Sequence, residues 1–97
     1  MPSYITLINW TDQGVKTFKD SVDRYEAVQQ AAGGTGVKFT QIYWTVGQYD
    51  MVGIIEAPDD QTLTAALLAA GAQGNIRTTT MRGFDADEMR GVIAKAG

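Results

Sequence analysis

The chain has 97 residues, 44% of them hydrophobic and 20% charged, which suits one folded domain over residues 1–97 and leaves no room for a catalytic domain plus a regulatory one. It contains no Cys and no His, so disulfides, thiolate nucleophiles, Ser-His-Asp and Cys-His catalysis, imidazole-bound haem and His- or Cys-based zinc sites are excluded. Eight Lys and Arg against eleven Asp and Glu leave a net charge of −3, without the concentrated positive surface that nucleic acid binding needs.

The first residues carry no Lys or Arg before a short apolar run and no small-residue cleavage site, and nowhere do eighteen apolar residues run together. A cytoplasmic protein without membrane contact is expected. Tyr4 to Trp10 is β-branched and aromatic and reads as a first strand with apolar groups on both faces. Thr11 and Asp12 can each cap a helix start. Val15, Phe18, Val22, Tyr25, Val28 and Ala32 then recur at spacings of three and four, the stripe of an amphipathic helical region. Asp20 and Ser21 compete for backbone hydrogen bonds midway, so the region reads as one helix or as a short helix, a break, and a second helix capped at either residue. Gly33, Gly34 and Gly36 end it.

Lys38 to Val46 has the composition of a second strand and Met51 to Ala57 that of a third. Gly47, Gln48, Tyr49 and Asp50 between them suit a hairpin in which Gly47 takes positive φ, so the two strands should pair antiparallel. Pro58 fits the first position of a helix whose stripe is Leu63, Ala66, Leu67 and Ala70, with Asp59 and Asp60 at its positive end. Gly71 to Gly74 closes that helix, and Ile76 to Gly83 is a fourth strand. Asp85 caps a last helix from Ala86 to Lys95, whose Met89, Val92 and Ile93 should pack on the body.

Strand, helix, strand, strand, helix, strand, helix is the order of a ferredoxin-like α+β fold, βαββαβ, with two helices on one face of an antiparallel sheet and an extra C-terminal helix. If the second face met water, the strands would alternate cleanly between apolar and polar residues. Instead Ile5 and Leu7 oppose Ile8 and Trp10, and Met51 and Ile55 oppose Val52 and Ile54. The expected cover is a second copy of the chain, giving a homodimer or a higher homo-oligomer.

Trp10-Thr11-Asp12-Gln13-Gly14, Trp44 to Asp50, Glu56-Ala57-Pro58-Asp59-Asp60 and Gly74-Asn75-Ile76-Arg77-Thr78 together resemble the GYD domain proteins of bacteria and archaea, over nearly the whole chain. The motif that names the family stands here as Gly47-Gln48-Tyr49-Asp50, with one residue inserted. The resemblance implies a ferredoxin-like fold in the group of dimeric α/β barrels. That group includes cofactor-independent or haem-linked oxygenases, isomerases and plain ligand binders, so the resemblance implies no particular reaction.

The candidate site is the hairpin cluster Tyr43, Trp44, Gln48, Tyr49 and Asp50 with Asn9 and Trp10. Aromatic rings would wall a pocket in which Asp50, Asn9 and Arg77 orient a small polar ligand. Turn chemistry at Gly47 to Asp50, with the rings packed in an interface, explains the same residues and is favoured. Arg77 could instead pair with Asp50 or Glu56, which is favoured over an anionic ligand. Asp85, Asp87 and Glu88 read as a cap and first turn rather than a metal site, and Thr78 to Thr80 as ordinary strand residues. No Arg follows strand one as an acylphosphatase requires, and strand three lacks the aromatic run of an RNA-recognition module. Gly33 to Gly36 lacks the Lys-Ser/Thr of a phosphate loop.

Two functions are therefore carried forward. The preferred one is a homo-oligomeric small-ligand-binding or assembly protein. The alternative is a cofactor-independent oxygenase or isomerase acting on a small aromatic or enolisable substrate, with Asp50 as base and Tyr49, Asn9 or Arg77 steadying an oxyanion. No metal is expected, and the residues specify no cofactor.

Overall fold

The computed structural model describes all residues, 1–97. Strand β1 (Ser3–Trp10) lies between β3 (Met51–Glu56) and β4 (Ile76–Gly83), with β2 (Lys38–Trp44) at the far edge, and every neighbouring pair is antiparallel in the order β2-β3-β1-β4. This is the ferredoxin-like topology. Strand β2 ends at Trp44, two residues before the expected limit, because Val46 stands fully exposed on the hairpin and Thr45 N–H already bonds the Asp50 carbonyl.

The first helical region is broken as the Asp20-Ser21 pair allows, into α1 (Asp12–Lys16), a 3-10 turn (Phe18–Asp20) and α2 (Ser21–Ala31). Thr11 caps α1 by accepting the Gly14 N–H. Asp20 stands before α2 but makes no side-chain cap bond. The break swings the first half of the expected stripe away from the sheet. Val15 and Phe18 are consequently exposed, and Val22 in the first turn of α2 is exposed too, whereas Tyr25, Val28 and Ala32 are half-buried or at the margin of the core.

Helix α3 (Asp60–Gly71) starts two residues later than the Pro58 reading predicts, because Asp59 is the cap. Its carboxylate accepts the Thr62 N–H at 2.7 Å, and that backbone bond holds the Asp59 carboxyl below the usual carboxylate range. The contribution is complete above the unfolded value and fades as pH falls through the lower folded one. Asp59→Asn keeps an acceptor that does not titrate, so thermal melts between about pH 5 and pH 2 should lose part of their acid dependence. Next to the cap, the Tyr4 hydroxyl donates to the Asp60 carboxylate, which raises the phenol above its ordinary value and ties β1 to the first turn of α3.

Helices α2 and α3 cover the face of the sheet that carries Tyr4, Thr6, Ile8, Met51, Gly53 and Ile55. The core is small: Tyr4, Val37, Ile55, Ala57 and Leu63 form its centre, and only eleven of the 97 residues are buried. Thr6, fully buried, is satisfied by the Thr80 hydroxyl at 2.9 Å. Gly53 admits the Phe39 ring, 2.7 Å from where a Cβ would sit.

Helix α4 (Ala86–Ala96) has a complete capping box between Asp85 and Glu88, and Glu88 pairs with Arg82 at 3.6 Å. Contrary to expectation its stripe does not pack on the body: Met89, Val92 and Ile93 are 44%, 39% and 59% exposed. The helix-bearing face already holds α2 and α3, and the Asp85 cap starts α4 beyond the β4 edge. The radius of gyration, 14.6 Å, accordingly exceeds the roughly 12.5 Å of a compact chain of this length.

Candidate functional site

Strand register sorts the hairpin cluster onto two faces. Asn9 and Arg77 are register partners on the open face, and Tyr43 stands opposite Val52 on the same face, 60% exposed. Trp10, opposite Ile76, and Trp44, opposite Met51, face the helices. Trp44 Nε1 donates to the Ser21 hydroxyl at 2.9 Å, and the Trp44 ring meets Tyr25 edge-on. Gln48 is exposed on the hairpin and Tyr49 is half-buried beside it. The eight residues thus do not converge on one pocket.

Asp50 is engaged as a fastener. One carboxylate oxygen accepts the Trp10 N–H at 2.9 Å, its own N–H donates to the Ile8 carbonyl, and its carbonyl accepts the Thr45 N–H. The Thr45 hydroxyl donates to the Tyr49 carbonyl at 2.6 Å. With Gly47 at φ 138°, these bonds close the hairpin and clamp it to the end of β1. Asp50→Ala should therefore cost about 1.5–3 kcal/mol of stability in urea unfolding, as expected for a bond to a charged acceptor, and Asp50→Asn should restore most of it.

Arg77 pairs with neither Asp50 nor Glu56, correcting the expected ion pair. Register explains the separation from Glu56, which stands opposite Ser3 at one end of β1 while Arg77 stands opposite Asn9 at the other. The Asp50 carboxylate is turned to the Trp10 N–H instead.

The loop after β1 is laced to the loop before β4. Thr11 N–H donates to the Asn75 carbonyl and its hydroxyl to the Gly74 carbonyl, while the Gln13 amide donates to the Gln73 carbonyl and the Asn75 side-chain oxygen. The two segments most distant in sequence among the four motifs thus hold each other.

Two surfaces remain that could act on another molecule. The first is the open sheet face, where Ile5, Leu7, Val52, Ile54 and Met81 form a continuous apolar field between Lys38 and Glu56 at one end and Asn9 and Arg77 at the other. No element of the chain covers it. The second is an apolar cavity of about 80 Å³ between the sheet and α2 and α3, walled by Ile8, Val28, Met51, Ile55 and Leu67 among others. Trp10 lines it, and neither Asp50 nor Arg77 does. Sequence reasoning missed this cavity, and the one signal for it was the run of alanines on α3, of which Ala66 and Ala70 line the cavity and keep the side chains short above the sheet.

A four-stranded antiparallel sheet with two helices on one face, an uncovered apolar second face and a hairpin fastened by Asp50 defines a small ferredoxin-like α+β domain. Residues 4–93 match the profile of the GYD domain, and the chain belongs to the GYD domain family. It is 33% identical over 82 residues to the glutamine synthetase and cystathionine beta-lyase binding protein of Thermus thermophilus, covering 84% of this chain and 86% of that one. A crystal structure of a Thermus thermophilus protein has the same fold, with a TM-score of 0.56 at 20% identity over 89% of this chain and 96% of that chain. No helix is long and apolar enough to cross a membrane.

Proposed function

We propose that the chain is a non-catalytic, homo-oligomeric binding protein: two copies meet sheet to sheet, and the assembly docks on metabolic enzymes. The observation that carries the reading is the apolar field of Ile5, Leu7, Val52, Ile54 and Met81 on a face left bare by the fold. A face of four strands is about 19 Å by 23 Å, roughly 440 Å² in projection, below the ~800 Å² that each partner buries in a standard interface. The uncovered stripe of Phe84, Met89, Val92 and Ile93 beyond the β4 edge offers further apolar area, on the side where Arg82 stacks on Tyr4 and Phe84 and pairs with Glu88. A two-fold arrangement uses both patches twice.

Enzyme partners are supported by the Thermus thermophilus relative, whose name describes binding to glutamine synthetase and cystathionine beta-lyase. The test is sedimentation velocity of the chain at micromolar concentration, alone and with the glutamine synthetase and cystathionine beta-lyase of its own host. A dimer that co-sediments with either enzyme is expected. A single copy that co-sediments with neither overturns the proposal.

A further inference from the structure

We propose that the free edge of β2 between Ile42 and Trp44 takes up an extended segment of a partner protein as a further, antiparallel strand of the sheet. The inference rests on the reading of the chain as a protein that binds other proteins, and it does not depend on how two copies meet.

Besides its two faces the sheet has edges. Strand β2 is outermost, and no strand of the chain lies along its other side. In an antiparallel ladder the backbone groups of successive residues point to alternate sides. Thr45 N–H bonds the Asp50 carbonyl, so Thr45 turns its groups to β3, and the unbroken register from Gln41 to Trp44 turns those of Tyr43 and Gln41 the same way. The N–H and carbonyl of Ile42 and of Trp44 therefore point outward, and no group of the chain bonds them. Their spacing is the one that a neighbouring strand uses.

The rest of this edge is guarded. The register slips between Phe39 and Gln41, so Phe39 also points outward, and the Gln29 side chain answers both of its groups. The Gln29 oxygen accepts the Phe39 N–H at 3.0 Å and its amide donates to the Phe39 carbonyl at 3.1 Å, as an added strand would do. Native sheets keep edges from pairing with charges, prolines and bulges. The slip and Gln29 protect β2 only as far as Thr40, whereas Ile42-Tyr43-Trp44 carries neither charge nor proline. The opposite edge strand, β4, carries Arg77 and Arg82.

The surroundings fit β-branched residues with a basic end. In this mode of recognition the backbone bonds give affinity and the side chains on alternate faces give selectivity. On the helix side the segment meets Trp44, held by Ser21, and on the other side it meets Tyr43, both exposed. Gln29 reaches the edge from α2, and Val22 and Glu26 share its side of that helix. Glu26 is exposed and belongs to neither ion pair of the chain, so a cation beside Phe39 finds a free carboxylate. Two β2 strands joined about Tyr43 would bring the Gly47-Gln48 turn of the other copy to that place, and no cation, so a foreign segment fits better than a second copy.

The probe is the peptide acetyl-Val-Thr-Val-Thr-Lys-amide, which runs antiparallel to β2 with its Lys toward Glu26. By solvent-exchange NMR of the wild-type chain, free peptide at about four times its Kd should slow exchange of the Ile42 and Trp44 N–H groups about fivefold. Phe39 and Tyr43 N–H, already bonded, should not change. The same peptide N-methylated at its first and third residues has lost the pairing donors and should slow neither. Unchanged exchange under millimolar peptide overturns the proposal, and equal slowing by the methylated peptide overturns strand pairing. Slowing that appears without peptide and grows with protein concentration assigns the edge to a second copy and overturns a partner segment. A peptide ending in Glu should bind more weakly, and equal binding removes Glu26 from the site. Ile42→Pro deletes an outward donor at an edge position that tolerates proline. With its fold checked by circular dichroism, it should no longer co-sediment with whichever of the two host enzymes the wild type carries. An enzyme carried equally by both chains overturns this edge as the docking site and leaves enzyme binding standing. If the wild type carries neither enzyme, the enzyme reading falls and the exchange measurement decides the edge.

Discussion

For the proposed sheet-to-sheet dimer, Leu7→Asp is expected to leave only monomers at micromolar concentration while each copy keeps its fold. Leu7 sits at the middle of β1 on the open face, with Val52 and Thr79 as its register partners on either side. Leu7 is already half-buried within one copy, so covering it contributes roughly 1 kcal/mol, part of the about 2 kcal/mol of a whole leucine side chain. A two-fold interface contains the residue twice, and each buried carboxylate costs several kcal/mol more, so Kd should rise by at least about a hundredfold. Leu68→Asp is the control: that residue is 69% exposed on α3, away from the open face, and should leave the assembly intact. Sedimentation velocity reads both, and far-ultraviolet circular dichroism confirms the fold of each variant. A Leu7→Asp chain that sediments as the wild type does would remove the open face from the assembly.

The second large effect concerns a single methyl group. Gly14→Ala should lower the melting temperature by at least about 12 °C, because a Cβ there would lie 2.0 Å from the Asn75 carbonyl oxygen and 2.9 Å from its carbon. Those atoms are backbone and cannot rotate aside. The loop before β4 would have to move, straining the bonds from Thr11 to Asn75 and Gly74 and from Gln13 to Gln73. Overpacking plus lost bonds amounts to about 3–5 kcal/mol, a large part of the total stability of a small domain. Gly91→Ala is the matched control. It lies within α4 with nothing inside 4 Å of the added carbon, so replacing glycine in a helix should be neutral or stabilising by up to about 1 kcal/mol. Differential scanning calorimetry of the two variants separates close approach from backbone freedom.

The Gly47-Gln48-Tyr49-Asp50 segment shows how a recognisable motif can be structural. The sequence alone allows either turn chemistry or a ligand pocket there. Folded, Asp50 commits a carboxylate oxygen, its N–H and its carbonyl to Trp10, Ile8 and Thr45. That arrangement accounts for Asp50 without a substrate, and it supports the binding reading over the use of Asp50 as a base. Arg77 remains on the open face beside Asn9, where a partner copy would meet it.

What the sequence by itself determined are the features set by neighbours along the chain. The order of elements, the caps at Thr11 and Asp85, the place where a break at Asp20-Ser21 can fall and the two-sided apolar character of β1 and β3 all follow from spacing and local hydrogen bonding, so they are legible in one dimension. Tertiary structure alone decided which tryptophan looks where, that Arg77 and Glu56 stand at opposite ends of the sheet, that α4 projects with its stripe uncovered, and that Trp10 Nε1 is buried without an acceptor. Those facts depend on strand register and on the height of two helices above a sheet, which are fixed by packing between residues far apart in sequence, and no local pattern encodes them.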